Sequence, residues 1–264
     1  MKKIFTLIIS IILITSLSSC SKESDLSDYE QIKESGELVV GFTDFPPFGY
    51  MDNGVEKGLD LEIAKLVCLD LGLDFKAQYI DWDTKIMEIN SKKVDVIWNG
   101  MTLTDEVAKN LTVSKTYFKT ELVVITNKGK EFASVDDLVG KKIAVEANSS
   151  SDISLSGNDD YNVIDFTTTS ECLLALKGNQ VDAFVVDSTY ANDYIMKKEN
   201  AKDSYAVSSF TVGEKEDYVI GFRKGSTSLR DAVDASIDSL YERGDLDNII
   251  TEYFGSIEGS GFTR

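Results

Sequence analysis

The stretch KVDVIWNG at residues 93–100 occurs a second time, in altered form, as QVDAFVVD at residues 180–187. Each copy follows a segment with helical periodicity, opens on Val-Asp and continues as a short apolar strand. Each is also preceded by another apolar, strand-like segment, LVVG at residues 38–41 and KIAV at residues 142–145. A repeat of this size predicts two similar α/β lobes rather than one large sheet. Two such lobes leave a cleft between them, and clefts of this kind commonly bind small molecules.

The composition is compatible with two such lobes and gives the protein an acidic balance. The chain has 264 residues, 42% hydrophobic and 27% charged, which is enough to bury a core in two lobes of roughly 100 residues each. The formal net charge of −18 argues against nucleic acid as a partner, because phosphates would be repelled. It favours neutral or cationic ligands over anionic ones, although an acidic surface can also serve solubility alone.

The N-terminus has the pattern of a targeting segment over residues 1–20. Lys2 and Lys3 precede a short apolar run at residues 4–14, and LSSC at residues 17–20 resembles the cleavage site of a bacterial lipoprotein signal. This resemblance implies that Cys20 is lipidated and anchors the mature chain to the membrane, outside the cytoplasm. A transmembrane anchor is the alternative, but the apolar run is shorter than the roughly 20 residues that a span needs. Residues 21–35 are predicted to form a tether and a short helix.

The residues available for chemistry favour a binding protein over an enzyme. Histidine is absent, which removes the commonest general base and zinc ligand. Cys68 and Cys172 are predicted to be buried, unpaired thiols. No phosphate loop or nucleophile elbow is visible, so neither a cofactor nor a metal is expected.

Two strong strands, near residues 120–125 and 217–222, flank the second half of the repeat. If both cross between lobes, the first lobe is discontinuous and comprises residues 36–119 and 217–262, and the second comprises residues 120–216. Two crossing strands make a hinge that can absorb a closing motion.

Several segments together resemble a known family over nearly all of the mature chain. The matching segments are GELVVG at 36–41, FPPF at 45–48, GLDLEIA at 58–64, VD at 94–95, MTLTDE at 101–106, DLVGK at 137–141 and VDA at 181–183. The family is the type II periplasmic solute-binding proteins of polar amino acid ABC transporters. The resemblance implies an α/β, two-lobe periplasmic binding protein-like fold, each lobe a mixed sheet flanked by helices, joined by a two-strand hinge. It also implies a monomer that works with permease and ATPase subunits.

The same resemblance implies a set of ligand-binding residues at strand ends. They are Phe45 and Trp82 as aromatic cover, Gly100 and Thr102 after the first Val-Asp strand, Asn148, Ser149 and Ser150 as N–H and hydroxyl donors, and Asp187 as the partner of an ammonium. Physical chemistry agrees, because an ammonium removed from water needs a carboxylate and aromatic faces attract cations. Alternative roles stay open: Trp82 in the core, Thr102 in a turn, Ser149 to Ser151 as a helix cap, and Asp187 as a surface cap.

One departure from the family's pattern bears on specificity. The family usually has an arginine that grips the ligand's α-carboxylate, and this chain has Val107 there. Glu146 stands where some relatives have lysine or glutamine. We therefore expect neutral or basic ligands to be preferred over acidic amino acids. The ligand is predicted to be an amino acid, its carboxylate held by Ser149 and Ser150 or by a lysine, or else an amine without a free α-carboxylate. A dehydratase-like enzyme and a sensor input domain are the remaining alternatives on this fold.

Overall fold

A computed structural model describes residues 27–198 and 201–264. The predicted targeting segment, its Cys20 and the first part of the predicted tether lie outside the described residues. Within those residues, no helix combines the length and the apolar character that a membrane span requires.

The helices and strands alternate along much of the chain. The helices are α1 (Asp28–Ser35), α2 (Leu59–Leu71), α3 (Lys85–Asn90), α4 (Asp105–Asn110), α5 (Ser150–Ser156), α6 (Thr169–Lys177), α7 (Thr227–Glu242) and α8 (Asp247–Phe254). The strands are β1 (Glu37–Phe42), β2 (Tyr50–Asp52), β3 (Val55–Lys57), β4 (Asp74–Tyr79), β5 (Val96–Thr102), β6 (Leu111–Val113), β7 (Phe118–Asn127), β8 (Lys142–Glu146), β9 (Asn162–Phe166), β10 (Ala183–Asp187), β11 (Tyr205–Val207) and β12 (Val212–Arg223). Short 3-10 helices cover Trp82–Thr84, Val135–Leu138 and Ala201–Asp203, and a π-helix covers Tyr190–Lys198.

The two lobes share one curled mixed sheet, in the order β4-β1-β5-β12-β7-β10-β8-β9. We call β4, β1 and β5 the first half-sheet and β10, β8 and β9 the second; within each, the strands are parallel. The long strands β7 and β12 are antiparallel to each other and to the neighbouring strand of each half. The sequence predicts a sheet for each lobe, and these two strands join the predicted sheets into one.

The repeated Val-Asp dipeptide has the same structural role in both halves. A carboxylate oxygen of Asp95 accepts a hydrogen bond from the Val39 N–H at 2.9 Å, and Asp182 does the same for the Lys142 N–H at 3.0 Å. In return, the backbone N–H of each aspartate donates to the carbonyl of that same partner residue. The dipeptide therefore fastens β5 to β1 in the first half and β10 to β8 in the second, so it has the same structural role in both copies.

Apolar helices cover the sheet and leave the carboxyl ends of its parallel strands free. Helix α2 packs against α7 and α8 over the first half-sheet, and α6 packs against β8 and β10 in the second. Helix α2 ends at Gly72, which adopts the left-handed conformation. Cys68 and Cys172 are buried and unpaired, also as predicted.

Candidate ligand-binding cleft

A cleft of about 600 Å³, partly open to solvent, lies where the carboxyl ends of the parallel strands of both halves converge. Open α/β sheets commonly bind ligands at such strand ends. All of the residues predicted to contact a ligand line this cleft, namely Phe45, Trp82, Gly100, Thr102, Asn148, Ser149, Ser150 and Asp187. The lining also includes Val107, Glu146 and Lys85.

Aromatic rings form one wall of the cleft and hold Phe45 in place. The Phe45 ring stacks on Tyr190 with centroids 5.8 Å apart, and on Phe48 at 5.6 Å. Gly100 has a φ of +58°, and a Cβ there would lie 2.8 Å from a Phe45 ring carbon. A glycine at position 100 therefore lets the backbone approach Phe45 closely. Phe48 is fully buried behind the wall.

Trp82 and Val107 belong both to the cleft and to the core. Both side chains pack into one hydrophobic cluster with Met101 and Leu111, and both line the cleft. Val107 is only 2% exposed, and its N–H donates to the Thr104 hydroxyl at the start of α4. The position at which the resemblance implies an arginine is therefore apolar here.

A buried lysine occupies the cleft wall. Lys85 is 4% exposed, and its Nζ donates to the carbonyls of Asn148 at 3.1 Å and Trp82 at 3.3 Å. The ammonium also lies 4.8 Å from the Trp82 ring centroid. Burial lowers the pKa of Lys85, and the nearby Glu106 and Glu146 oppose that shift. The sequence allows for a lysine as carboxylate partner without locating it; its only local indication is that Lys85 follows Trp82 by three residues, one helical turn.

Glu146 ends β8 and faces the cleft. It is 5% exposed, and its Oε1 has no hydrogen-bond partner among the described residues. Burial raises the pKa of Glu146 to about 8, against the opposing attraction of Lys85. An unpartnered, buried carboxyl oxygen in a cleft can accept a hydrogen bond from a ligand.

Asp187 ends β10, in the position of the predicted ammonium partner. It is 7% exposed and accepts a hydrogen bond from the Tyr218 hydroxyl. Burial, followed by the charge of Glu216, holds the pKa of Asp187 well above its usual range. A cation placed against this pair of carboxyl groups would relieve their repulsion.

Glu216 was not among the predicted site residues. It lies in β12, is 8% exposed, and accepts hydrogen bonds from the Thr102 hydroxyl at 3.0 Å and the Ser150 hydroxyl at 3.1 Å. Thr102 ends a strand of the first half and Ser150 begins a helix of the second. One carboxylate therefore joins both halves at the cleft wall.

The serine turn after β8 has both of the roles that the sequence leaves open. Ser149 is the N-cap of α5 and accepts from the Asp152 N–H, and its hydroxyl lies 2.8 Å from that of Ser151. Asn148 has a φ of +56°, and its carbonyl accepts from Lys85. The turn thus caps a helix while it lines the cleft.

Direct hydrogen bonds cross the cleft between the two halves. The Thr169 hydroxyl donates to the Asp44 carbonyl at 2.9 Å, and the Ser170 hydroxyl donates to the Asp44 carboxylate at 3.0 Å. Asp44 follows β1, whereas Thr169 and Ser170 begin α6. Together with the bond from Lys85 to Asn148, these contacts describe an arrangement in which the halves touch.

The curled two-lobe sheet and the cleft at its strand ends define a solute receptor of the type II periplasmic binding protein class. The chain belongs to family 3 of the bacterial extracellular solute-binding proteins, whose sequence profile matches residues 38–256. The family consists of binding proteins rather than enzymes, and it acts outside the cytoplasm.

Individual relatives align with almost the whole chain. The ABC transporter glutamine-binding protein GlnH of Bacillus subtilis (strain 168) is 31% identical, over 96% of this chain and 97% of its own length. The arginine-binding extracellular protein ArtP of the same organism is 25% identical, over 96% and 98%. An ABC uptake transporter substrate-binding protein from Streptococcus pneumoniae, solved with bound histidine, has a TM-score of 0.82 and 29% identity, over 90% and 99%.

Proposed function

We propose that this protein is a receptor that captures a small polar ligand, an amino acid, and delivers it to the permease and ATPase subunits of an ABC importer. The observation that carries the proposal is the buried Asp187 carboxyl group at the cleft, in a lining that also holds the aromatic side chains of Phe45 and Trp82. This arrangement suits an ammonium group that has left water. The relatives named above include a glutamine-binding protein, an arginine-binding protein and a protein solved with bound histidine, which supports an amino acid as the ligand.

The carboxyl groups in the cleft favour a neutral or basic ligand over an acidic one. Glu146 and Asp187 supply carboxyl groups, and Val107 supplies no cation. A ligand carboxylate enclosed without a positive partner would be costly to desolvate. Lys85 is the available partner: two of its three N–H donors contact carbonyls, which leaves one for a ligand carboxylate. An amine without a free α-carboxylate is the second candidate, favoured by the valine at position 107.

We further propose how the chain is divided into lobes and how the mature protein is anchored. The lobes comprise residues 36–119 with 217–262, and residues 120–216, with the hinge in β7 and β12 where they pair. The mature chain is a monomer held at the membrane by lipid on Cys20. Mass spectrometry of membrane-extracted protein tests the lipid, and sedimentation tests the monomer.

A thermal-shift screen tests the ligand class. The panel contains neutral, basic and acidic amino acids together with their decarboxylated amines. A true ligand at about 100 times its Kd stabilises the protein by roughly 2.7 kcal/mol. We expect stabilisation by neutral or basic members; tight binding of glutamate or aspartate would contradict the proposed selectivity, and no stabilisation by any member would contradict the proposed function.

A further inference from the structure

Glu216 does not line the cleft itself but bonds to two residues that do. Its Oε2 accepts the hydroxyl protons of both Thr102 and Ser150, and both of these residues line the cleft. The two hydroxyls come from opposite halves of the molecule, so the carboxylate fixes both sides of the cleft wall at one point.

This arrangement decides what the two hydroxyls can offer to a ligand. A hydroxyl has a single proton and two lone pairs, whereas an ionised carboxylate only accepts. Once Thr102 and Ser150 donate to Glu216, their oxygens keep only lone pairs for any other partner. A ligand carboxylate would therefore meet two acceptors, and a ligand N–H would meet two suitable partners.

We propose that Glu216 is a specificity-determining positioning residue, which turns the Thr102 and Ser150 hydroxyls into acceptors and so selects a cationic, N–H-rich ligand group at this wall. The assignment rests on the proposed function and deepens it: the group taken here is an ammonium or guanidinium, and an α-carboxylate is turned away. Asp187 lies close enough to Glu216 for their charges to interact, so a cation at this wall would be attracted to both.

Val107 independently supports the inference that this part of the cleft disfavours a ligand carboxylate. A valine leaves the first lobe's loop without the guanidinium that would offset the repulsion between a ligand carboxylate and Glu216. Two independent features, the valine at position 107 and the two committed hydroxyls, therefore disfavour a carboxylate at this wall of the cleft.

The experiment compares Glu216→Gln with the wild-type chain, using ligand pairs that differ only in the α-carboxylate. The pairs are arginine with agmatine, histidine with histamine, and lysine with cadaverine, and titration calorimetry gives both dissociation constants. The glutamine amide can donate to one hydroxyl oxygen, which frees that hydroxyl's proton for a carboxylate, and it also removes the charge. We expect the ratio of the amino acid's Kd to the amine's Kd to fall at least tenfold in the variant.

Glu214→Gln is the matched control, because Glu214 is exposed on the same strand and its replacement changes the net charge equally. Its ratio should equal that of the wild type. A second route approaches the same contact from the hydroxyl side: in a Thr102→Val, Ser150→Ala background, Glu216→Gln should change the ratio less than it does in the wild-type chain, because only the loss of the Glu216 charge remains. If the hydroxyls act as acceptors, the Thr102→Val, Ser150→Ala variant should also bind the amines at least tenfold more weakly than the wild type does. This measurement tests the role of the hydroxyls even if Glu216→Gln fails to fold.

The outcomes separate the assignment from the proposed function. Intact binding with an unchanged ratio in Glu216→Gln, or unchanged amine binding in the hydroxyl-free background, would overturn the role of Glu216 alone. Binding of neutral amino acids only would likewise overturn the cationic group while leaving the receptor function in place. Failure of the wild-type chain to bind any amino acid or amine would overturn both.

Discussion

Asp187 is the residue on which the proposed ammonium contact depends. Replacement by alanine should reduce affinity for an amine-bearing ligand by about 2–5 kcal/mol, because the ligand's charge would be enclosed without a partner. The free energy of unfolding of the free protein should fall by less than this, because the lost hydrogen bond from the Tyr218 hydroxyl is partly offset by removal of a buried carboxyl group whose charge burial and Glu216 disfavour. Calorimetry and thermal melts measure the two effects, with Glu214→Ala as an exposed control. Unchanged affinity would mean that the ligand's ammonium is held elsewhere.

Val107 determines whether the cleft can hold an α-carboxylate in the way the family usually does. Because Val107 packs against Met101 and Leu111, an arginine there must direct its guanidinium into the cleft or disturb the cluster. Val107→Arg should shift selectivity toward ligands with a free α-carboxylate, since the guanidinium can form a bidentate pair. Competition between arginine and agmatine measures the shift. If the variant folds with an unchanged preference, the carboxylate does not approach this position.

Glu146 should make the stability of the free protein depend on pH. Its pKa is about 8 in the folded protein against an ordinary value of 4.5. Between these values the unfolded chain has released a proton that the folded chain retains, so stability falls as pH rises, by at most about 1.4 kcal/mol per pH unit from this group. Urea unfolding at pH 5, 6, 7 and 8 should show a flatter profile for Glu146→Gln than for wild type.

That flattening is limited by Asp187, whose pKa is also raised by burial, and by Asp60. Asp60, with a pKa raised to about 7 by burial, contributes a dependence of the same sign that Glu146→Gln leaves in place. Parallel profiles for the variant and the wild type would show that Glu146 is ionised in the folded protein at neutral pH.

The sequence could predict cleft residues at strand ends but not those that reach the cleft from elsewhere. Phe45, Gly100 and Asp187 each follow or end a recognisable apolar strand, and all line the cleft. Glu216 stands in the polar run GEKED at residues 213–217, where nothing distinguishes it from its exposed neighbours. An irregularity in the pairing of β12 with β7, between Val212 and Glu216, precedes the buried position, and such irregularities re-aim side chains without an evident sequence pattern.

At the scale of the elements, the repeated Val-Asp dipeptide allows a comparison within one molecule. Asp95 accepts the partly buried Val39 N–H and lies 3.8 Å from the Arg223 guanidinium, whereas Asp182 is exposed. Asp95→Ala should therefore cost about 1–3 kcal/mol of unfolding free energy, because it leaves a partly buried N–H without its side-chain acceptor. Asp182→Ala should cost less than about 1 kcal/mol, since water can replace the carboxylate. Denaturant unfolding of both variants makes the comparison, and equal losses would show that burial does not set the cost.

Periodicity and glycine positions predict the regular helices and strands, but they do not predict that β7 and β12 join the two half-sheets into one sheet. The sequence predicts a helix that stops at Gly72 and a short helix from Asp247 to Phe254, and α2 and α8 agree with both. The sequence also predicts a helix after Asp187 that runs through Met196, and the structure has a π-helix over Tyr190–Lys198 there. The pairing of β7 with β12 depends on contacts about a hundred residues apart, and local pattern carries no information about such pairing.

At the scale of the whole molecule, the contacts across the cleft predict a closing motion. Thr169 and Ser170 bond to Asp44, and Lys85 bonds to Asn148; each of these bonds joins the two halves without a ligand. A ligand that touches both halves would add to them and shift the population toward the closed state. Small-angle scattering should therefore show a smaller radius of gyration with saturating ligand than without it.

The double variant Thr169→Val, Ser170→Ala separates closure from ligand contact. It removes two hydroxyl bonds across the cleft while leaving Asp187, Phe45 and Trp82 unchanged, so only the closed arrangement loses stability, by about 1–3 kcal/mol. Affinity should then fall by up to about a hundredfold. Of the two substituted residues, Thr169 lines the cleft and Ser170 does not. The radius of the ligand-free variant should equal or exceed that of the wild type, and saturating ligand should still compact it. If ligand leaves the radius of the wild type and the variant unchanged, the two halves form a rigid body, and binding has to proceed by entry into a cleft that does not close.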